Sequence, residues 1–140
     1  MNTNIMTTKM NPKILLILIW VFFTVNFIYA DTLSSLEPGV LAMHTTGYTA
    51  DGTVKITEGF LLGTATMFEI PFLMIVLSWV LKYRANRWAN IIAGIAFVLA
   101  QIGSLFLGVP STAYIFYSTV EIAGLLLIVW NAWKWQNPEA

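Results

Sequence analysis

The feature that most constrains this chain is its four long apolar segments, at about residues 13–30, 58–81, 88–108 and 112–133. An α-helix needs about 20 apolar residues to cross the hydrocarbon core of a bilayer, and each segment is close to that length. Of the 140 residues, 58% are hydrophobic and only 10% are charged, which is too apolar for a soluble domain. The sequence therefore predicts one all-α integral membrane domain, with four transmembrane helices in an antiparallel bundle.

The composition also excludes several classes of function. The chain has no cysteine, which excludes disulfides, thiol redox chemistry and iron–sulfur clusters. It has a single histidine, so no metal-ligand cluster and no cofactor are expected. The net charge is zero and no basic run is present, so the expected partner is the lipid bilayer and not nucleic acid.

The first apolar segment has two interpretations. Lys9 and Lys13 precede it, and the tripeptide ending at Ala30, before Asp31, loosely resembles a signal-peptidase site, so one interpretation is a cleaved secretory signal. The other is a retained span. We adopt the second, because the segment is rich in aromatic residues, contains Asn26, and brings the number of spans to four.

The connection at residues 31–57 is long enough to carry structure of its own. Its spaced apolar residues predict a short helical piece at the membrane surface, broken at Pro38-Gly39. Asp51-Gly52 lies between two β-prone stretches and is typical of a type I′ turn, so we expect a short β-hairpin there.

Basic residues near the predicted span ends indicate the orientation. One side of the bundle collects six of them, whereas the other side has only Lys55. The six are Lys9, Lys13, Lys82, Arg84, Arg87 and Lys134. By the positive-inside rule, both termini are cytoplasmic and the loop 31–57 faces outward.

Two acids lie deep inside the predicted spans. Glu69 is near the middle of the second segment, and Glu121 is at similar depth in the fourth. A charged side chain at that depth costs about 2.5 kcal/mol or more, so such residues usually mark a functional site. Helical spacing puts Glu58 on the same face as Glu69.

Other polar side chains recur at helical spacing on the neighbouring segments, which predicts a polar pocket that opens outward. It would bind a ligand or a proton, and its expected residues are Glu69, Glu121, Gln101, Tyr117, Tyr114, Asn26, Glu58 and Asp31. A structural alternative stays open, in which the two deep acids are neutral and hold the bundle together by hydrogen bonds. Gly59 and Gly63 make a GxxxG spacing that fits either packing within one bundle or a homo-oligomer.

The stretch Gly59–Ile70, the basic turn Lys82–Asn90 and Ala93-Gly94 resemble small bacterial four-span membrane proteins of the DoxX-like type, and most closely an uncharacterised group among them. The resemblance covers residues 13–135 and implies the bacterial inner membrane as location. Some DoxX-like proteins are partner subunits of quinone-linked membrane oxidoreductases. The resemblance therefore implies such an oxidoreductase as a partner and a quinone-adjacent role.

Two functions are compatible with these residues. The first is a binding or accessory subunit whose polar pocket takes a small lipophilic molecule or a quinone. The alternative is a proton-coupled small-molecule transporter that uses one of the deep acids. No nucleophile–base pair is evident, which argues against an enzyme.

Overall fold

The computed structural model describes residues 10–49, 52–106 and 110–136. These residues form five helices: α1 (Pro12–Ser34), α2 (Pro38–Thr46), α3 (Glu58–Val80), α4 (Tyr83–Ser104) and α5 (Thr112–Lys134). All except α2 are long and apolar enough to cross a membrane. The predicted all-helical class with four spans, that of a multi-pass membrane protein, is confirmed.

The helix starts have local causes in the sequence. Asn11 precedes α1, and its side chain accepts a hydrogen bond from the backbone N–H of Lys13. Thr57 does the same for α3, and Ser111 for α5 at 3.1 Å from the backbone nitrogen of Tyr114. Each cap satisfies a backbone N–H that has no partner inside its helix.

Two predicted boundaries differ from the structure. Helix α1 continues to Ser34, past the expected end at residue 30, and α4 begins at Tyr83 instead of residue 88. Leu81 and Lys82 alone separate α3 from α4, and both have extended backbones. Two extended residues suffice to reverse the chain between adjacent antiparallel helices, so most of the basic turn is part of α4.

The connection between α1 and α3 corrects two predictions. The expected β-hairpin is not supported, because residues 35–49 and 52–57 contain no strand and only one isolated antiparallel bridge, Tyr48 to Lys55. An isolated two-stranded ribbon is marginal in water, and no third strand is present there to extend it. Asp51 lies outside the described residues. Pro38 begins α2 and does not break it, since proline is tolerated in the first turn of a helix.

The four long helices pack side by side in the order α3, α1, α5, α4, and a weak contact between α3 and α4 closes the bundle. Helix α1 packs against both α3 and α5, α5 packs against α4, and α3 meets α4 much less. Leu16, Trp20 and Phe23 of α1 and Leu125 and Ile128 of α5 are completely buried. Helix α1 is thus a core helix of the bundle.

The bundle has two ends, each fastened by hydrogen bonds between helices. We call the end where α1 begins and α5 finishes the termini end. There, Lys13 Nζ donates to the carbonyl oxygens of Trp79, in the last turn of α3, and Leu81, the residue after α3. Tyr83 Oη donates to the carbonyl oxygen of Trp135 at 2.7 Å. At the opposite end, the loop end, Ser111 Oγ donates to Glu37 Oε1 at 2.6 Å.

Candidate functional site

A buried polar cluster joins α4 to α5 in the half of the bundle nearer the loop end. Gln101 Nε2 donates to Glu121 Oε2 at 2.6 Å and to Ser118 Oγ at 3.1 Å. Glu121 is only 1% exposed, and the other two side chains are also buried. We call these three residues the Glu121 cluster. Both hydrogens of the Gln101 amide are used within it.

A chain of hydroxyl groups links the Glu121 cluster to the loop end. Tyr114 Oη donates to Ser104 Oγ at 2.7 Å, and Ser104 Oγ donates to the carbonyl oxygen of Gln101 at 2.7 Å. These bonds tie the last turn of α4 to the first turns of α5. They hold the backbone of Gln101 in place and so orient its amide toward Glu121.

Two buried acceptor atoms in this half of the bundle have no hydrogen-bond partner among the described residues. They are Glu121 Oε1 and Asn26 Oδ1. An unsatisfied buried polar atom costs about 1–3 kcal/mol, so native structures rarely contain one without a reason. A third buried atom without a partner among the described residues is a donor, Arg87 Nε, which lies on α4 near the termini end.

The packing of α1 against α5 places Asn26 and Glu121 at the same level. A Cβ added to Gly124 would lie 3.7 Å from the ring of Phe22, and Tyr29 meets Tyr117 edge to face at 5.9 Å. Both contacts follow one antiparallel register, which puts Asn26 beside residues 120–121. Asn26 is four residues after Phe22 and three before Tyr29, and Glu121 is four residues after Tyr117 and three before Gly124. Residues at these spacings share a helical face, so Asn26 and Glu121 lie between the two contacts.

As a carboxylate, Glu121 only accepts hydrogen bonds, and so does the carbonyl oxygen of the Asn26 amide, so the two cannot satisfy one another. The Oδ1 atom of Asn26 and the Oε1 atom of Glu121 both need a donor, and the Gln101 amide has no hydrogen left to give. A hydroxyl or ammonium group placed between them would supply what is missing. The arrangement can therefore bind a hydrogen-bond donor in an otherwise apolar interior.

An apolar groove runs along the α1–α5 contact beside this level. Its volume is about 480 Å³, and Phe22, Val120 and Gly124 are among the side chains and backbone that line it. Val120 directly precedes Glu121 in α5, and Gly124 follows Glu121 by three residues, which is about one helical turn. A molecule with a polar end near Glu121 could leave its apolar part in this groove.

In a second buried cluster, nearer the termini end, every buried polar side-chain atom has a hydrogen-bond partner. Trp20 Nε1 and Ser78 Oγ donate to Asn90 Oδ1 at 2.6 and 3.3 Å, and Asn90 Nδ2 donates to Asn86 Oδ1 at 2.7 Å. Asn86 Nδ2 in turn donates to the carbonyl oxygen of Ser78 at 2.6 Å. We call this the Asn90 cluster, and its complete pairing marks it as structural.

Sequence reasoning missed the Asn90 cluster. The recurrence of polar residues at helical spacing on the third segment does not by itself identify the partners of Asn90. The available signal was the spacing of Asn86, Asn90 and Gly94 by four residues, which marks one face of α4. Trp20 and Ser78 come from other helices, so no local spacing points to them.

The remaining predicted site residues do not join the Glu121 cluster. Glu69 is exposed on the surface of α3, while Glu58 and Asp31 are exposed near the loop end. Tyr117 contacts the ring of Tyr29 and makes no hydrogen bond to Glu121 among the described residues. The expected meeting of the two deep acids is therefore not seen: Glu121 faces the interior and Glu69 does not.

Comparison with known proteins gives one match. The sequence model of a family of unknown function, DUF6326, matches residues 3–140. No curated protein and no solved structure matches the chain. The resemblance to DoxX-like proteins is not addressed by this match and stays a prediction.

Proposed function

Because the chain belongs to DUF6326, a family of unknown function, we propose a function from the site geometry: a membrane-embedded binding module that holds a small lipophilic molecule at the Glu121 cluster. One observation carries the proposal. The Glu121 carboxyl is 1% exposed, with one oxygen bonded to Gln101 and the other buried without a donor among the residues that the structure describes. A buried acid with one free acceptor is suited to receive a ligand group.

The chemistry of the free atoms defines the ligand class. Both Glu121 Oε1 and Asn26 Oδ1 accept hydrogen bonds, so the ligand end that enters the site donates them. Alcohols, protonated amines and quinols do so, whereas the oxidised form of a quinone offers only carbonyl acceptors. Of the two forms, the site favours the quinol. The apolar part of the ligand lies in the α1–α5 groove.

The proposal places the site in the outer half of the bacterial inner membrane, with both termini in the cytoplasm. The charge distribution supports this orientation, since the basic residues of the described spans cluster at the termini end. A quinol site would suit an accessory subunit of a quinone-linked oxidoreductase, which is the partner implied by the DoxX-like resemblance.

A matched pair of ligands tests the class of molecule bound. A short-chain ubiquinol and the corresponding ubiquinone share their apolar body and differ in donor hydroxyls. We expect the quinol to raise the melting temperature of the purified protein in detergent, because it binds the folded state, and the quinone to raise it much less. A hydrophobic amine should also act more strongly than the equally sized hydrocarbon. Equal shifts within both pairs would contradict the proposed donor chemistry.

The Glu121→Gln variant tests the site itself. The amide oxygen of glutamine still accepts a hydrogen bond from Gln101. Its NH₂ group takes the place of Glu121 Oε1 and can donate to Asn26 Oδ1. We therefore expect the ligand-free variant to be at least as stable as the wild type while its quinol shift is lost. Glu58→Gln is the matched control, since Glu58 is exposed in the first turn of α3, and it should keep the shift.

Two results would replace the proposal. A full quinol shift in Glu121→Gln would remove the Glu121 cluster as the binding site. Ligand-driven proton movement across proteoliposomes that disappears in Glu121→Gln would instead assign the alternative function, a proton-coupled transporter.

A further inference from the structure

Glu69 lies at the depth where a carboxyl is least tolerated. It is the twelfth of the 23 residues of α3, so it is about 16 Å from either end of the helix. Its side chain is exposed on the surface of the bundle, and it makes no hydrogen bond or ion pair to any described residue. In a single copy of the chain, this acid would face the hydrocarbon.

The buried side of α3 points in the opposite direction. Pro71, Met74 and Ser78 are its buried residues, and they lie about 140–180° around the helix from Glu69 at 3.6 residues per turn. Within two turns of Glu69, the residues that lie within 40° of it around the helix are all exposed, namely Leu62, Ala65, Leu73 and Val76. We call these four residues and Glu69 the outward face of α3.

Helix α3 is also loosely packed within its own bundle over its first half. No residue from Glu58 to Ile70 is buried, and the half-buried Phe68 reaches α1 by stacking on Phe27 with ring centroids 4.7 Å apart. Acids inside membrane spans almost always face protein or a water-filled cavity, and they often pair with one another. The outward face therefore needs a covering that brings a polar group to the depth of Glu69.

We propose that a second copy of the chain covers the outward face of α3, related by a two-fold axis along the membrane normal that passes beside Glu69. Such an axis keeps every residue of both copies at equal depth, so each Glu69 meets the other Glu69. Carboxyls are complementary to one another when they share a proton, as donor and acceptor.

The other residues that the structure describes offer no better match for Glu69. Within the described spans, the basic side chains all lie near the termini end, at Lys13, Arg84, Arg87 and Lys134, so no cation of another copy reaches mid-depth. Ala65 stands one turn from Glu69 and lets two α3 helices approach closely, as small residues do at helix contacts in membranes. The complementarity of the acid with itself, at one depth, is what selects a second copy as the partner.

Single-cysteine crosslinking tests the contact in native membranes. The chain has no cysteine, so each variant reports one position. Ala65→Cys lies on the outward face, while Leu99→Cys is the control on the exposed side of α4 at a similar distance from the loop end. We expect oxidation to give a covalent dimer with Ala65→Cys and no more than background with Leu99→Cys.

Variants of Glu69 test the acid in the same contact. Glu69→Leu suits lipid and removes the pairing, so we expect dimer association in detergent to weaken by about three- to tenfold, measured by native mass spectrometry. Glu69→Gln keeps a hydrogen-bonding pair and should retain most of the dimer. Neither change touches the Glu121 cluster, so quinol shifts should persist, which separates this proposal from the binding function.

Three outcomes would overturn the proposal. The first is crosslinking of Ala65→Cys no stronger than that of Leu99→Cys. The second is a different protein in the Ala65→Cys adduct, identified by mass spectrometry, which would make that protein the covering partner. The third is an unchanged oligomeric state in Glu69→Leu together with higher thermal stability, which would mean that Glu69 faces lipid.

Discussion

At the scale of single residues, pairing decides what a buried amide does. Asn90 accepts from Trp20 and Ser78 and donates twice to Asn86, so all of its hydrogen-bonding groups are engaged. Asn26 is only partly buried, yet its Oδ1 atom is enclosed and has no donor among the described residues. The two asparagines therefore differ in their pairing: Asn90 joins helices, whereas Asn26 keeps an acceptor to which the proposed ligand would donate.

Asparagine-to-leucine substitutions should separate the two cases. Asn90→Leu leaves Trp20 Nε1 and Asn86 Oδ1 buried without partners, so we expect it to lower the free energy of unfolding by about 1–3 kcal/mol for each lost pairing. Asn26→Leu removes an unsatisfied acceptor and should leave stability unchanged or raised. Thermal unfolding in detergent measures both. Equal losses in the two variants would show that Asn26 is also a structural amide.

At the scale of the helices, one glycine determines a close contact. A Cβ on Gly94 of α4 would lie 2.7 Å from Val129 Cγ2 on α5, closer than two carbon atoms tolerate. Gly63 of α3 has nothing within 4 Å of the same position. The GxxxG spacing at Gly59 and Gly63 therefore does not pack helices within this bundle, and the glycine that does so is on another helix.

Glycine-to-alanine substitutions test this difference. We expect Gly94→Ala to destabilise the protein by roughly 1–3 kcal/mol, because the stiff Val129 side chain or the α5 helix must shift to admit the methyl group. Gly63→Ala adds a methyl group to open space and removes a flexible residue from a helix, so its stability should be unchanged or higher. Melting temperatures in one detergent provide the comparison. A stable Gly94→Ala variant would mean that α4 and α5 can separate at little cost.

At the scale of the whole molecule, the two ends of the bundle differ in charge and in aromatic content. The termini end carries Lys13, Arg84, Arg87 and Lys134, together with the exposed indoles of Trp79, Trp88, Trp130 and Trp133. Lys134 makes a cation–π contact with Trp130, with Nζ 4.1 Å from the ring centroid. Indole rings are favoured at the headgroup level of either leaflet, whereas basic residues collect on the cytoplasmic side.

Cysteine labelling in intact cells tests the orientation that follows. A membrane-impermeant maleimide should label Val54→Cys, in the connection at the loop end, and should label Gln136→Cys only after the cells are opened. The reversed pattern would place the termini outside.

The mass of the purified protein tests whether α1 is retained, since cleavage after Ala30 would remove residues 1–30 from the 15.7 kDa chain.

The sequence by itself determined the class, the number of spans and the presence of two deep acids, because length and hydropathy are local properties of a segment. It also placed Gln101 and Tyr114 on polar helix faces, and in the structure Gln101 bonds Glu121 while Tyr114 bonds Ser104. Only the tertiary structure decided that Glu121 points inward and Glu69 outward. Lipid is as apolar as the interior of a bundle, so an apolar pattern does not distinguish the face of a helix that meets protein from the face that meets lipid. That choice depends on which helices become neighbours, and the neighbours here are set by contacts far apart in sequence, such as Trp20 with Asn90 and Gly94 with Val129.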